Sequence, residues 1–266
     1  MYFVVDGVHY IESRWDRRYP RSLDLDYTRT MMAGYLVNPR ATKILMIGFG
    51  GGQISNYLFD RFDGLEVDAV DIDAEVVRLA RQYFGVPKDP RYRTHVADGR
   101  LFVERTPAEP QWDMVILDAF RGVFVPFHLK TVEYYEALKA RLRPGGVVVA
   151  NLHSLTEMYK HDRNTFAEVF PHGYCFRSEN GRQSTLVASV DPQPVGAYAM
   201  RAAARELRPR FDFDLEGLAA RWMLENDWDR TASVLRDDFP PGKTPQGAER
   251  HNLSCVEHDC PYRTDR

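Results

Sequence analysis

Between about residues 43 and 190 the chain alternates short apolar runs with segments of helical spacing, and this alternation is its most constraining feature. Strands that alternate with helices build a parallel sheet, because each connection between parallel strands needs a crossover. The pattern predicts a doubly wound, mostly parallel α/β fold. The predicted parallel strands are KILMIGF, LEVDAVDI, RYRTHVAD, WDMVILDA and GVVVANLHS, and the sequences GYCFRSE and STLVASV are predicted to form an antiparallel pair at one edge.

The sequences on either side of this region differ in pattern and predict three parts. Residues 1–38 form a short N-terminal segment with a strand, MYFVVDGV, and a helix, DYTRTMMAGYLV. Residues 39–192 form a Rossmann-like domain that carries the binding and catalytic residues. Residues 193–266 form a C-terminal helical extension, with the amphipathic stretch LEGLAARWMLEN and a flexible tail after FPPGKTPQG.

The composition excludes several functional classes. The 266 residues are 44% hydrophobic and carry a formal net charge of −3. A near-neutral charge gives no basic face for nucleic acid, and no apolar stretch reaches the roughly 18 to 20 residues that span a bilayer. The start, MYFVVDGVHYIE, does not resemble a signal peptide, so we expect a cytoplasmic protein with neither nucleic acid nor membrane as partner. Three cysteines are too few and too unevenly placed for a disulfide framework.

The first predicted strand ends in a glycine-rich turn, ILMIGFGGGQ, which leads into a predicted helix. Without Cβ atoms at Gly48, Gly50 and Gly52, backbone amides can approach a ligand at the helix N-terminus. A tight turn without a ligand is the alternative. The next strand ends at Asp71, about 20 residues further on, where a carboxylate commonly accepts hydrogen bonds from ribose hydroxyls. The two features together favour a nucleoside ligand.

The spacing of the glycines distinguishes between nucleoside ligands. A dinucleotide turn needs a glycine at position 53, which is Gln53, so the turn instead suits S-adenosylmethionine or a related donor. The third strand ends in ADGRLF, where Asp98 can accept from an adenine amino group, cap the following helix, or do both. The fourth strand ends at Asp118, beside the expected ligand crevice. We predict a functional carboxylate there, with local turn formation as the alternative.

Five blocks in order carry a family resemblance: ILMIGFGGGQ, VDAVDIDAEVV, DPRYRTHVADGRLF, WDMVILDAF and LKTVEYYEALKARLRPGG. Over roughly residues 24–155 they resemble the spermidine synthase family of aminopropyltransferases, and most closely its spermidine-synthase-like relatives. The resemblance implies a methyltransferase-like fold. It also implies a cytoplasmic transferase that moves an aminopropyl group from decarboxylated S-adenosylmethionine to an amine or polyamine, with no metal.

The resemblance also assigns individual residues. It implies that Asp118 is the catalytic carboxylate, because the attacking amine must lose a proton when it displaces the sulfonium. Tyr27 and Arg121 occupy positions that the resemblance assigns to the acceptor. On the helix LKTVEYYEALKARL, one of Tyr134 and Tyr135 could face the site and the other the core, and Tyr134 is the one we predict at the acceptor. Residues implied at the donor are Gly48, Gly50, Gly52, Asp71, Asp98 and Gly99.

Several positions depart from the family pattern. The glycine turn has Gly51 where the family typically has an acidic residue and Phe49 where it has glycine, and Thr28 follows Tyr27 in place of His or Gln. Three positions after Asp118, the family's second aspartate is replaced by Arg121. A guanidinium repels an ammonium, so putrescine is not the expected acceptor.

Three functional hypotheses follow from these departures. The first is aminopropyl transfer to another amine, with Asp24, Asp26 or Glu133 replacing the missing carboxylate. The second is a methyltransferase that uses S-adenosylmethionine, with Arg121 facing a carboxylate of donor or acceptor. The third is a nucleoside-binding or partner-binding protein without catalysis.

Other residues have less specific patterns. The tail HNLSCVEHDC holds four potential zinc ligands, although a disordered tail is the favoured interpretation. His153 either lines the crevice near the acceptor or has a structural role, and His128 is expected to begin a helix. The aromatic face of LEGLAARWMLEN either forms a contact in a homodimer or packs on its own domain.

Overall fold

The computed structural model describes residues 1–5, 8–11, 13–20, 22–120, 124–222 and 229–238. Seven strands form one sheet in the order β5-β4-β3-β6-β7-β9-β8, and two further strands form an N-terminal hairpin. Strands β5, β4, β3, β6 and β7 are parallel, whereas β9 is antiparallel to both of its neighbours. The strands are Tyr2–Val5 (β1), Val8–Ile11 (β2), Lys43–Ile47 (β3), Glu66–Asp71 (β4), Tyr92–Val96 (β5), Trp112–Leu117 (β6), Leu142–His153 (β7), Gly173–Arg177 (β8) and Gln183–Ser189 (β9).

Helices cover both faces of the sheet. The α-helices are Asp26–Thr30 (α1), Gly34–Val37 (α2), Gln53–Arg61 (α3), Ala74–Tyr83 (α4), Gly99–Arg105 (α5), Val132–Lys139 (α6), Tyr159–Val169 (α7), Ala197–Leu207 (α8) and Leu215–Ala220 (α9). Short 3-10 helices span Met31–Ala33, Phe127–Leu129 and Arg208–Arg210. The predicted α/β, doubly wound, mostly parallel architecture is confirmed, as are the predicted strands and the antiparallel edge.

The central strands β3, β6 and β7 are mainly apolar where both of their faces are buried. In β3, Ile44 and Met46 pack into one core cluster, and Leu45 and Ile47 pack into the other. Helices α2, α3, α4, α8 and α9 contribute to the first cluster, and α5, α6 and α7 contribute to the second. The two-residue period of the strand thus divides the core into two layers.

The N-terminal part folds against the sheet. Helix α2 approaches so closely that a Cβ at Gly34 would lie 2.6 Å from a methyl group of Val149 and 2.9 Å from the sulfur of Met114. A buried hydrogen bond of 2.6 Å joins the hydroxyls of Thr30 and Thr185 and ties the end of α1 to β9. These contacts hold α1 over the carboxyl ends of β6 and β7 and the amino end of β9.

The C-terminal part of the chain packs on both layers. In α9, Leu215 and Leu218 are buried, and Trp222, which follows the helix, contacts Tyr174 edge to face. The described part of LEGLAARWMLEN therefore packs on its own domain. Residues 229–238, named here the C-terminal segment, lie along α6 and α7, where the Leu235 amide donates to the Thr165 hydroxyl at 2.8 Å. Within the described ranges, no helix has the length and apolar character needed to cross a membrane.

Candidate active site

The glycine turn lies at the carboxyl end of β3, between β4 and β6. Gly48, Gly50 and Gly52 have φ angles of 85°, 52° and 74°, which side chains rarely allow. A Cβ at Gly48 would lie 2.4 Å from the carbonyl oxygen of Asp118. The direction of winding reverses between β3 and β6, and such switch points form ligand crevices in open α/β sheets. Gly48 thus lets the two strand ends meet beneath the crevice.

Asp71, at the end of β4, holds the glycine turn in place. Its Oδ2 accepts hydrogen bonds from the amides of Phe49 at 3.0 Å and Gly50 at 2.9 Å, and its Oδ1 accepts from the Asp73 amide at 3.0 Å. Burial raises the pKa of Asp71 above its usual range, although these hydrogen bonds act in the opposite direction. Because each carboxylate oxygen has two lone pairs, Asp71 keeps acceptor capacity for a ligand beside the turn.

Asp98, at the end of β5, has two partners within the protein. Its Oδ1 caps α5 through the amides of Arg100 and Leu101, each at 3.0 Å, and its Oδ2 lies 2.7 Å from Nε2 of His128. Burial acts to raise the pKa of Asp98, but the hydrogen bond and charge of His128 lower it on balance. The predicted helix cap is confirmed. His128 is itself buried in a 3-10 helix.

Gly99 and Arg100 fix the start of α5. A Cβ at Gly99 would lie 2.5 Å from Cγ2 of Ile47, so the helix reaches the sheet only with glycine at this position. The guanidinium of Arg100 forms a bidentate ion pair with Asp237 of the C-terminal segment and donates to the carbonyl oxygen of His128 at 3.2 Å. The C-terminal segment is therefore held by an ion pair to the start of α5, the helix that follows β5.

Asp118 lies at the end of β6, in the centre of the cleft. Its Oδ1 accepts a hydrogen bond from Nδ2 of Asn151 at 2.8 Å, and its Oδ2 accepts one from the Tyr27 hydroxyl at 3.2 Å. Burial raises the pKa of Asp118 to about 7, although both hydrogen bonds lower it. With no cationic partner at hydrogen-bond distance among the described residues, the carboxyl can gain or lose a proton near neutral pH, as a general base requires.

A cleft in front of Asp118 opens to solvent, and about 710 Å³ of space, open solvent included, lies within its walls. One wall is the glycine turn, a second is α1 with Tyr27 and Thr28, and a third is formed by the ends of β7 and β9. Four of its lining residues carry a buried polar atom without a hydrogen-bond partner among the described residues: Gln53 Nε2, Asn151 Oδ1, His153 Nδ1 and Gln183 Oε1. Buried polar groups are almost always satisfied, so these atoms mark a place for a ligand or water.

The neighbourhood of Gly51 differs from what an acidic residue at that position would need. A Cβ at Gly51 would lie 2.7 Å from Cβ of Ser13 and 2.7 Å from Cδ1 of Phe84. The Ser13 hydroxyl accepts a hydrogen bond from the Gly51 amide at 2.6 Å. Ser13 and Phe84 thus occupy the space that a side chain at position 51 of the glycine turn would need.

Two of the residues predicted at the acceptor, Tyr134 and Arg121, are not among the described residues that line the cleft. Tyr134 is fully buried in the core cluster that contains Tyr135 and is not among the residues that line the cleft, so its role at the acceptor stays a prediction. The ring of Tyr134 packs against that of Tyr135, which in turn contacts Phe166 edge to face. Arg121 lies outside the described residues.

The three candidate replacement carboxylates are engaged away from the cleft. Asp24 forms an ion pair with Arg14 at 2.6 Å, and Asp26 accepts a hydrogen bond from the Asn180 amide at 3.2 Å. Glu133 accepts from the Asp237 amide in the C-terminal segment at 3.1 Å. Of the described residues that line the cleft, Asp118 alone carries a carboxylate.

The potential zinc ligands of the tail lie outside the described residues. Within the described ranges, no three His, Cys, Asp or Glu side chains are grouped as a metal site would require. Sequence analysis missed Asn151 and Gln183 and left the position of His153 open. Asn151 had a local signal, since it follows the apolar run of the fifth predicted strand, as Asp118 follows that of the fourth.

Comparison with known proteins agrees with this description. The family model for the spermine/spermidine synthase domain matches residues 26–176. A polyamine aminopropyltransferase of Vibrio vulnificus is 34% identical over 220 residues, which cover 81% of this chain and 73% of the relative.

Solved structures support the fold. Human methyltransferase-like protein 13 in complex with SAH aligns with a TM-score of 0.64 and 22% identity, over 78% of this chain and 96% of that chain. A spermidine synthase in complex with the transition-state analogue AdoDATO aligns with a TM-score of 0.61 and 22% identity, over 76% and 72%. At these identities the likeness establishes a methyltransferase-like fold and nothing finer.

The fold and the cleft define a Rossmann-type α/β protein with its site at the switch point of the sheet. The chain belongs to the spermine/spermidine synthase family. This membership makes it an aminopropyltransferase-family transferase, and it supports aminopropyl transfer as the reaction.

Proposed function

We propose that the protein transfers the aminopropyl group of decarboxylated S-adenosylmethionine to a small amine that is not putrescine. The single observation that carries this proposal is the position of Asp118, a buried carboxylate with a pKa of about 7 at the centre of a cleft beside the glycine turn. Family membership supports the reaction class. The lack of a second carboxylate among the described cleft residues supports an acceptor other than a simple diamine.

The proposed donor lies along the carboxyl edge of β3, β4 and β5. Gly48, Gly50 and Gly52 keep the backbone open to it, Asp71 accepts hydrogen bonds from its ribose hydroxyls, and Asp98 accepts from its adenine amino group. Gly99 keeps α5 close enough to the sheet for Asp98 to reach that position. The unpartnered Nε2 of Gln53 adds a hydrogen-bond donor on the same wall of the cleft.

The proposed reaction is a displacement at carbon. The nitrogen lone pair of the acceptor attacks the methylene carbon bonded to the sulfonium, the C–N bond forms, and the C–S electrons return to sulfur to give methylthioadenosine. Asp118 takes the proton that the nitrogen loses, and its ionised form stabilises the positive charge that precedes the loss. Tyr27 and Asn151 hold the carboxyl in position. Alignment of the two substrates supplies much of the acceleration, because the sulfonium is already a good leaving group.

Methyl transfer from S-adenosylmethionine is the second candidate, and one observation favours it. In aminopropyl transfer the donor ends in an ammonium group, and the family typically places an acidic residue at the position of Gly51. Here Ser13 and Phe84 fill that space. A donor that retains its carboxylate has less need of an acidic residue at this position.

Donor binding separates the two candidates. Calorimetry with decarboxylated S-adenosylmethionine, S-adenosylmethionine and methylthioadenosine should show tighter binding of the decarboxylated donor than of the carboxylated one. Asp71→Asn should weaken the binding of all three, whereas Asp63→Asn, an exposed residue after α3 at the opposite edge of the sheet, should not. A preference for the carboxylated donor would favour methyl transfer, and failure of all three to bind would contradict both candidates.

A further inference from the structure

The carboxyl end of β7 and the amino end of β9 carry a group of polar side chains to which the comparisons with known proteins assign no function. His153 is paired with Gln183 across the two antiparallel strands, and Asn151 is paired with Thr185. Side chains two residues apart on a strand, and those directly opposite on its neighbour, project from the same face. Asn151, His153 and Gln183 therefore line one wall of the cleft, next to Asp118.

The hydrogen bond between Asn151 and Asp118 determines which atom of Asn151 remains available to a ligand. Nδ2 of Asn151 donates to the carboxylate of Asp118, so Oδ1 of Asn151 is left to accept. Asn151 is 3% exposed, and its Oδ1 has no partner among the described residues. Nδ1 of His153 and Oε1 of Gln183 are also buried without a partner there. The wall thus offers the acceptor oxygens of Asn151 and Gln183 to a ligand that brings N–H or O–H donors, and Nδ1 of His153 can accept or donate according to its tautomer.

The charge of the wall distinguishes between such ligands. Burial, followed by the positive charge of Arg182, lowers the pKa of His153, so its imidazole is neutral at neutral pH. In the described lining of the cleft, Asp118 has the one carboxylate, and the wall beyond Asn151 has none. An ammonium buried there would lose its hydration without a counter-ion, which costs far more than the burial of a hydrogen-bonded hydroxyl or amide.

The distance along the wall sets the size of the ligand. Two residues along a strand span roughly 7 Å, so His153 lies about that far beyond Asn151. A nitrogen held between Asp118 and Asn151 would place the far end of a four-carbon chain at His153 and Gln183. In putrescine that far end is a second ammonium.

We infer that Asn151, His153 and Gln183 form the acceptor subsite, and that this subsite selects a monoamine whose remote end is an uncharged hydrogen-bond donor such as a hydroxyl or a primary amide. The amine meets Asp118 and Oδ1 of Asn151. The remote donor meets His153 and Gln183. This inference rests on the proposed function for the amine as the reacting group, and it adds the class of acceptor.

Three molecules of equal chain length test the inference: putrescine, the amino alcohol in which a hydroxyl replaces one ammonium, and the amino acid in which a carboxylate replaces it. Their binding to the full-length protein is measured by calorimetry at neutral pH with saturating methylthioadenosine. The amino alcohol should bind at least about tenfold more tightly than putrescine and than the amino acid. Equal or tighter binding of either charged analogue, or no binding of the amino alcohol, would overturn the inference.

Matched variants link the preference to the wall. Gln183→Glu adds a carboxylate with almost no change of shape and should shift the preference towards putrescine by at least tenfold. Gln193→Glu, the same change at an exposed position after β9, should leave it unchanged. His153→Glu provides a second test, with His172→Glu, an exposed residue before β8, as its control. If neither cleft variant shifts the preference, the subsite is wrongly placed.

Turnover separates this inference from the proposed function. Formation of methylthioadenosine from the decarboxylated donor and any of the three amines supports aminopropyl transfer. If the amines bind with the expected preference and no methylthioadenosine forms, the proposed function fails and the subsite stands. If putrescine is the best substrate, the subsite assignment and the exclusion of putrescine as acceptor both fail, and aminopropyl transfer itself stands.

Discussion

Asp118 combines burial with two neutral hydrogen-bond donors, and its ionisation should control the rate. A base must be ionised, so kcat/KM for the amine should rise with pH through the region of the Asp118 pKa, about 7. Asp118→Asn should lower kcat by roughly 10²- to 10⁴-fold and leave only the pH dependence that the amine itself contributes. Initial rates of methylthioadenosine formation across neutral pH would measure both effects. A variant that keeps the rate of the parent protein would exclude Asp118 as the base.

The same burial should make Asp118 a cost to stability at high pH. Its pKa in the folded protein lies above the ordinary value of 3.8, so the protonated form is favoured by folding. The contribution to stability is full below the ordinary pKa and is lost as the pH rises through the folded pKa. Asp118→Asn removes this pH dependence. Its free energy of unfolding, relative to that of the parent, should therefore be roughly 2–3 kcal/mol higher at about pH 8 than at about pH 5. Urea unfolding at the two pH values measures the difference, and a pH-independent effect would contradict the assigned pKa.

A substitution at Gly48 tests how closely the ends of β3 and β6 approach each other. Gly48→Ala places a Cβ 2.4 Å from the backbone of Asp118 and also strains φ, so it should cost at least about 3 kcal/mol of stability and abolish donor binding. Gly64 has a similar φ of 76° and open space around it. Gly64→Ala should cost only about 1–2 kcal/mol and keep donor binding. Equal costs in denaturant unfolding would mean that the conformation of the backbone, not the close approach, explains the glycine.

The sequence predicted the residues whose signals are local. Asp71, Asp98 and Asp118 each lie at the carboxyl end of a predicted parallel strand, and that pattern alone places them at one edge of the sheet. Gln183 has no such signal, because its place in the cleft depends on the antiparallel return of β9 beside β7. Helical spacing could not show that Tyr134 packs in the core, because it cannot distinguish a face that lines a cleft from one that is buried against other elements.

At the scale of elements, the strands were predictable and two helices were not. Helix α7 hides its pattern because its buried face includes Asp162, whose carboxylate pairs with the buried amine of Lys130 at 2.9 Å. Helix α8 has a buried stripe rich in alanine, with only Met200 and Leu207 as large apolar residues. In α7 a buried ion pair interrupts the apolar periodicity from which sequence analysis predicts a helix, whereas α8 keeps that periodicity but with small side chains that make it inconspicuous.

The C-terminal segment should contribute to stability out of proportion to its length. Leu235 is fully buried against Phe127 and Met158, and its backbone pairs with Val132 at 3.0 Å. Leu235→Ala should cost about 2–4 kcal/mol in denaturant unfolding, because it leaves a cavity under the 3-10 helix that carries His128. Leu155→Ala, at a residue that is 71% exposed, is the control and should cost less than about 0.5 kcal/mol. Similar costs for both variants would show that the segment is not packed as described.

At the scale of the whole molecule, the two halves of the sheet line different parts of the proposed binding site. Strands β3, β4 and β5 present the proposed donor residues, and β7 and β9 present the proposed acceptor wall. Asp118 lies between them, at the end of β6. A cation bound on either side therefore acts on the same carboxyl group.

This arrangement predicts that donor binding releases a proton. Near pH 7 Asp118 is about half protonated, and a sulfonium beside it favours the carboxylate and lowers its pKa. Binding of decarboxylated S-adenosylmethionine should release roughly half a proton, measured by calorimetry in buffers that differ in ionisation enthalpy. Uncharged methylthioadenosine should release almost none, and Asp118→Asn should abolish the release. Proton uptake on donor binding would contradict the account.

The most direct test of aminopropyl transfer is the nucleoside that accumulates when the protein is given both donors together. The purified protein is incubated with equal amounts of decarboxylated S-adenosylmethionine and S-adenosylmethionine, with the amino alcohol and putrescine as acceptors, and the nucleoside products are separated by chromatography. The account predicts that methylthioadenosine accumulates and that Asp118→Asn prevents it. Accumulation of S-adenosylhomocysteine in its place would show that the cleft transfers methyl groups and would contradict the proposed function.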